Sequence, residues 1–236
     1  MESDKKKNIE LFDVRNFFKR WPKFYFFIAT VFGPMMFGGL SAIEFLGRFP
    51  VEGKVLNLGS GPRKIREDVI NVDFYPYEGV SIVTDVLAVP LSDNSVGRII
   101  SDNVLEHIKD PTLAVLEIKR LLRPGGLAYI STPFLYPFHS SPSDYQRWTK
   151  EGLIQLFYEF DIVEIGVRAG PFSSLTVYLC HLVGLIFSFG SVRINSLLVN
   201  MSMFVFFPIK LLDLIFNHWP QADTMAAVLY CVVRKK

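Results

Sequence analysis

Cysteine is nearly missing from this chain of 236 residues. There are two, Cys180 and Cys231, with no CxxC or other close pair. That argues against a disulfide framework and a cysteine-rich zinc site, and it favours a reducing compartment. A strong charge of either sign is missing too. Lys and Arg number 25 against 23 Asp and Glu, a formal net charge of +2. This balance gives no general case for a nucleic-acid partner, and none is expected. There is no internal repeat and no low-complexity run. A cleavable signal peptide is not expected, because the start is long and no small-residue cleavage pattern follows it neatly. No ligand cluster has convincing spacing for a metal, so none is expected.

What the chain has in excess is apolar. Half its residues are hydrophobic and 22 are Phe. Mean hydropathy is +0.29. The excess sits before Lys54 and after Phe172. Residues 1–10 are polar and carry Lys5, Lys6 and Lys7, which reads as a loose tail. Phe17, Phe18, Lys19, Arg20, Trp21 and Lys23 then mix basic and aromatic groups, as a membrane–water interface or a surface helix does. From Phe24 to Ile43 no side chain is charged. That length would permit a membrane span of about 20 residues. Gly33, Pro34, Gly38 and Gly39 interrupt it, so a helix on the membrane surface or over a substrate pocket is expected instead.

The block from Lys54 to about Ala169 is α/β material. Lys54–Leu58 reads as a buried strand that runs into Gly59 and Gly61, where the backbone can turn sharply and approach a ligand. Further strands are expected at Val69–Val72, Val80–Val83, Gly97–Ser101, Leu127–Thr132 and Phe160–Val167. Helices are expected at Pro111–Leu122, with proline in the first turn, and at Thr149–Glu159, with Thr149 as cap. The alternation predicts a mostly parallel sheet with crossovers on both faces. Phe172–Gly190 carries no charged side chain, and Leu197–Phe207 is apolar again. The pair reads as a helical hairpin that dips into a membrane or covers a cleft. Lys210 and Asp213 make full burial of its second arm costly. Ala226–Val233 reads as a last strand that returns to the sheet.

Polar groups gather where these strands end. Asp73 closes the second strand and can accept both hydroxyls of a ribose. Asp85 follows the third and can accept from an adenine amine. Asp102, Asn103, Glu106 and His107 follow the fourth, at the crevice mouth where open α/β sheets bind ligands. His107 suits either substrate contact or anchoring of the loop. Beyond the fifth strand, Tyr136, His139, Asp144 and Arg147 lie in a polar-aromatic loop. His139 is the first choice for a general base, with Asp144 orienting it, while Arg147 could hold an anion and Tyr136 could touch substrate.

Val55-Leu56-Asn57-Leu58-Gly59-Ser60-Gly61-Pro62, Asp73, the run from Asp85 to Val96, Val104–Pro111 and Leu121–Gly126 occur in one order. Together they resemble the class I S-adenosylmethionine-dependent methyltransferases, type 11 group. The resemblance implies a Rossmann-like sheet with an N-terminal apolar helical segment and a C-terminal apolar helical insertion before the last strand. It implies S-adenosylmethionine as cofactor, held by Asn57, Gly59, Ser60, Gly61, Asp73, Asp85, Val86 and Asn103. Asn57 replaces the family's usual acid and Arg63 a common third glycine. Pro62–Asp68 and Tyr75–Gly79 are too short for full crossover helices, so a trimmed fold is expected.

The expected organisation is a tail with apolar helices over 1–50, a cofactor-binding core over 51–170, an apolar hairpin or lid over 171–220 and a final core strand over 221–236. The expected reaction moves a methyl group to oxygen or nitrogen, less readily to carbon, on a small, glycan or lipid-linked substrate. The expected location is the cytoplasmic side, in association with a membrane surface. Two rivals stand beside this reading. A nicotinamide-dependent oxidoreductase would need a longer first crossover helix. A non-catalytic membrane-associated binding protein would retain the fold alone.

Overall fold

The structure is a computed structural model, and residues 31–139 and 143–236 are described. The expectations for the Lys5–Lys7 tail, the Phe17–Lys23 mixture and the stretch up to Thr30 lie outside the described residues.

Seven strands form one sheet: β1 Lys54–Leu58, β2 Val69–Asp73, β3 Ile82–Val83, β4 Val96–Asp102, β5 Leu122–Pro133, β6 Phe160–Ala169 and β7 Val228–Lys235. Their order is β3-β2-β1-β4-β5-β7-β6. β7 pairs antiparallel with both β5 and β6, and every other pairing is parallel. Strand order therefore reverses between β1 and β4, the position where open α/β sheets form a ligand crevice beyond their carboxyl ends.

The helices are α1 Ala42–Arg48, α2 Pro111–Leu121, α3 Lys150–Leu156, α4 Pro171–Phe187, α5 Val192–Phe206 and the short α6 Asp213–Phe216. Local chemistry sets their ends. Ser41 and Glu44 form a reciprocal capping box on α1. Asp110 accepts from the Thr112 N–H, with Pro111 in the first turn of α2. The Thr149 hydroxyl accepts from the Gly152 N–H at 3.1 Å.

The two faces of the sheet are covered unequally. On one, Ala114, Val115, Ile118 and Leu121 of α2 and Leu153 of α3 pack with Leu56, Ile99, Ile130 and Leu229. On the other, Phe45 and Leu46 of α1 meet Val55, Ile100, Tyr129 and Val232. Arg98 of β4 reaches across that second face and donates to the Leu46 carbonyl at 2.8 Å, at the carbonyl-rich end of α1. Neither the β1–β2 nor the β2–β3 connection contains a helix. Both are as short as the sequence implies.

Residues 33–40 are not helical. Phe37 instead bridges Ala169, and the Gly39 N–H donates to the Arg168 carbonyl at 3.2 Å. The segment thus covers the exposed edge of β6, which would otherwise offer unpaired backbone groups. A Cβ on Gly39 would stand 1.9 Å from the Val167 carbonyl oxygen, so only glycine permits this approach. Over residues 33–40 the expected apolar helix is an extended cover, with helix again in α1.

α4 and α5 pack side by side as a helical hairpin that starts where β6 ends at the sheet's carboxyl edge. Lys210 and Asp213 turn inward and are 3 % and 2 % exposed. The Lys210 Nζ donates to the Gly33 carbonyl at 2.6 Å. The Asp213 carboxylate accepts from the Phe172 and Ser173 N–H groups at 2.9 and 2.8 Å, and so caps α4 from a distant part of the chain. Removal of that carboxylate leaves two buried donors unpaired. Asp213→Ala should therefore cost about 1–3 kcal/mol of stability. The measurement is the shift of the urea midpoint, compared with an exposed control such as Asp161→Ala.

Candidate functional site

The β1 turn needs two glycines with left-handed backbone. Gly59 has φ +64° and Gly61 φ +53°. A Cβ on Gly59 would lie 2.5 Å from the Val104 side chain, while nothing stands within 4 Å of one on Gly61. The first glycine is packed against the β4 loop and the second opens onto space. Asp73, at the end of β2, holds this turn. One carboxylate oxygen accepts from the Gly61 N–H at 2.7 Å and the other from the Tyr75 N–H at 2.9 Å. Each oxygen keeps a lone pair for a further donor.

A cavity of about 620 Å³ opens in front of them. Gly59, Gly61, Asp73, Phe74, Tyr75, Tyr77, Asp85, Val86, Asn103, Val104, His107 and Ile108 line it. Its size suits a small-molecule ligand. Asp85 accepts from the Leu87 N–H at 2.9 Å and remains exposed. Asn103 takes a left-handed φ of 55°, and its N–H donates to the Ser131 carbonyl at 3.0 Å.

Asn57 and Ser60 do not line this cavity. They line a smaller pocket of about 120 Å³ that shares the Gly59 wall, together with Ser41, Arg63, Lys64, Asp102 and Arg168. The Asn57 side chain is buried and donates to Asn71 Oδ1 at 3.1 Å. The Asn71 amide in turn donates to the Arg63 and Gly79 carbonyls. Asn57 thus does the local work of fixing two short connections, where a charged acid would meet another amide.

The loop beyond β5 is arranged differently from expectation. All five N–H donors of Arg147 are taken. They go to the Tyr136, Pro137 and Gln146 carbonyls and to both oxygens of Asp144. This corrects the expectation that Arg147 holds a substrate anion, because no donor is left for one. Asp144 also accepts from the His139 backbone N–H at 2.9 Å. The pair is a staple that closes the loop. His139 is absent from the cavity lining, whereas His107 belongs to it. Burial holds the His139 imidazole below its ordinary value. His107 Nδ1 is hydrogen-bonded to the Ser143 carbonyl, so this ring anchors the loop and borders the cavity at once.

The sequence sets Glu106 at the crevice mouth but assigns it no role. It is wholly buried, and its Oε1 stands 3.9 Å from Nε2 of both His107 and His139. Burial pushes its carboxyl up to about 8. The adjacent Glu106-His107 pair was visible in the sequence. The arrival of His139 beside it was not, since that depends on how the Asp144–Arg147 staple folds the loop.

Comparison with known proteins agrees with this geometry. Residues 63–130 match the family model described as a methyltransferase domain. An uncharacterized methyltransferase of Mycobacteroides abscessus is 49% identical over 53 residues, which are 22% of this chain and 20% of that protein. A transposon-encoded 37.1 kDa protein of Streptomyces fradiae is 31% identical over 81 residues, 34% of this chain and 23% of that one. The chain thus spans about a fifth of the length of these curated relatives. Among solved structures, phosphoethanolamine N-methyltransferase 2 of Haemonchus contortus, in complex with phosphomonomethylethanolamine and S-adenosylhomocysteine, aligns with TM-score 0.54 at 18% identity. That alignment covers 94% of this chain and 59% of the other. A possible histamine N-methyltransferase of Thermotoga maritima aligns with TM-score 0.52 at 16% identity, over 94% and 99%. The fold is thus similar to that of solved S-adenosylmethionine-dependent methyltransferases, and residues 63–130 resemble a methyltransferase domain.

The staple has a defined acid response. Arg147 holds the Asp144 carboxyl well below its ordinary value, at about 2. A lowered carboxyl value means that the staple contributes fully above pH ~4 and is lost as pH falls through about 2. Pepsin cleavage within residues 136–147 should therefore be slow in the wild type at pH 4 and approach the rate of Asp144→Asn near pH 2. Equal rates for the two proteins at pH 4 would show that the pair does not hold the loop.

Proposed function

We propose that this chain transfers a methyl group from S-adenosylmethionine to an oxygen or nitrogen of a small, glycan or lipid-linked acceptor. The observation that carries the reading is the single cavity into which Gly61, Asp73 and Asp85 open together. Bound there, the cofactor supplies a methyl group on a positively charged sulfur, ready for displacement. The chain's residues supply position. Asp73 has free lone pairs for ribose hydroxyls, Asp85 an exposed carboxylate for the adenine side, and Val86, Tyr75 and Tyr77 apolar surface for the base. The small pocket behind Gly59 brings Asp102 and Arg63 within 3.6 Å of each other. Opposite charges at that spacing suit an amino-acid end, with its ammonium and carboxylate. Ser60 and Asn57 border the same pocket. Alignment of the acceptor with the sulfonium methyl is the main source of rate in such a site, and it requires no base.

The nicotinamide reading lacks support on one specific point. No helix follows the glycine turn, so no helix N-terminus stands under a pyrophosphate. For the cofactor, calorimetry decides. Wild type should bind S-adenosylmethionine and its demethylated product, and Asp73→Ala should bind about 10- to 100-fold more weakly, the value of hydrogen bonds to a charged group. Absence of binding by the wild type overturns the reading.

The acceptor class rests on the hairpin. The helical run Val192–Phe216 has 25 residues, with 17% of its 18-residue apolar window buried, and is long and apolar enough to cross a membrane by length and composition. Leu185 of α4, Phe189 of the turn that follows it, and Val205 and Ile215 of the run are large exposed apolar groups. With Lys210 and Asp213 turned inward, the outer face carries little that a lipid surface would reject. In our reading this face rests on a membrane and brings a lipid-linked acceptor to the cavity's edge of the sheet. Wild type should float with phospholipid vesicles in high salt, and the double variant Leu185→Ser with Val205→Ser should stay at the bottom. Flotation unchanged by the double variant, or absent from the wild type, removes this part of the proposal.

A further inference from the structure

Glu106 poses a problem that cofactor binding does not answer. It is 0 % exposed, and neither carboxylate oxygen has a hydrogen-bond partner. A buried polar group in that state is costly, and a buried charge more so. The imidazole nitrogens nearest to it are too far for a hydrogen bond, at 3.9 Å each. One ligand atom from each of Glu106, His107 and His139 can be chosen so that all lie within 4.8 Å of one another.

The far sides of the two rings are equally informative. His107 Nδ1 is bonded to the Ser143 carbonyl, which fixes a proton on Nδ1 and leaves the Nε2 lone pair free. His139 Nδ1 faces Asp144 Oδ2 at 3.4 Å. Both rings thus direct Nε2 toward the same carboxylate and Nδ1 toward an oxygen acceptor. Metal-ligating histidines are oriented in this way. Ligands about 2.1 Å from a tetrahedral zinc ion stand about 3.4 Å apart, so a closure of roughly half an ångström at each Glu106–imidazole contact, and of up to about 1.4 Å between the two imidazoles, completes the set.

We propose that Glu106, His107 and His139 bind a divalent transition-metal ion of the zinc type. Two imidazoles and one carboxylate suit zinc and its neighbours in the first row, whereas magnesium and calcium take oxygen ligands. The ion pairs with the orphaned carboxylate, and the Asp144–Arg147 staple acts as a positioning element that brings His139 in. Because His107 lines the large cavity, the ion stands at its border, within reach of an acceptor's oxygen or nitrogen. The site stands on its own geometry, independent of whether the chain transfers methyl groups.

Cobalt is the probe, since its d–d absorption in the visible reports few-coordinate nitrogen and oxygen ligation. The full chain, free of a histidine tag and treated with chelator, should bind one equivalent of Co²⁺ with such absorption and release it to Zn²⁺. Glu106→Gln and His139→Ala should each weaken Co²⁺ binding by more than about tenfold. His218→Ala, on a different pocket, should match the wild type. Should Glu106→Gln fail to fold, His139→Ala decides, because its ring is partly exposed and circular dichroism reports its folding. A wild type with no saturable absorption overturns the proposal. So does a folded His139→Ala that binds as the wild type does.

Discussion

The carboxylate of Asp73 is the constraint on which the site's shape depends. It sits at the end of β2 and draws the Gly61 and Tyr75 N–H groups to its two oxygens. The first bond fixes the turn after β1 and the second the chain after β2. Two loops that line one cavity are therefore set by one side chain. Charge-assisted bonds of this kind are among the stronger ones available to a protein. The turn has no helix behind it to hold it in place. In a longer version of this fold a crossover helix would brace the glycine loop from one side. Here Asp73, the Asn57–Asn71 amide pair and the packing of Gly59 on Val104 provide the bracing instead.

This explains why much of the fold was legible in the sequence. The strand ends and the lengths between them are local properties. Val69 to Asp73 cannot be far from Leu58 when ten residues separate them, and the acids after β2 and β3 then fall on the same edge. Strand limits moved by a few residues, as hydrogen bonding extends past the apolar run. β5 begins at Leu122, before Pro124-Gly125-Gly126, and β3 shrinks to Ile82–Val83. The edge cover at residues 37–39 was hidden, because an extended apolar segment with glycines reads like an interrupted helix. Only the approach of Gly39 to the Val167 carbonyl explains those glycines.

The site beyond β5 was less legible, for a different reason. Tyr136, His139, Asp144 and Arg147 are chemically versatile, and sequence gives no means of knowing which groups consume one another. Arg147 shows the difficulty. A lone arginine near a crevice reads as an anion binder, and its five donors are instead spent within the chain. Glu106 shows the converse. Nothing in its spacing distinguishes it from an ordinary surface acid, yet it is wholly buried and faces two imidazoles. Both facts are consequences of one loop closure.

The hairpin shows how the same charges can mean opposite things. Lys210 and Asp213 interrupt the apolar arm and, taken alone, argue against contact with lipid. The fold turns them toward protein. Asp213 satisfies the first donors of α4, and Lys210 satisfies a carbonyl of the segment that covers β6. Their burial has a price in desolvation, seen in the lowered value of the lysine. In return, two polar ends of backbone are paired and the charges are kept off the outer surface. The exposed face is then as apolar as the sequence allows, although the chain as a whole carries ordinary numbers of charged residues. An inward arrangement of this sort ties the hairpin to the carboxyl edge of the sheet. The orientation of the apolar face is thereby coupled to the position of the cavity, and a surface that docked on one would present the other at a fixed distance.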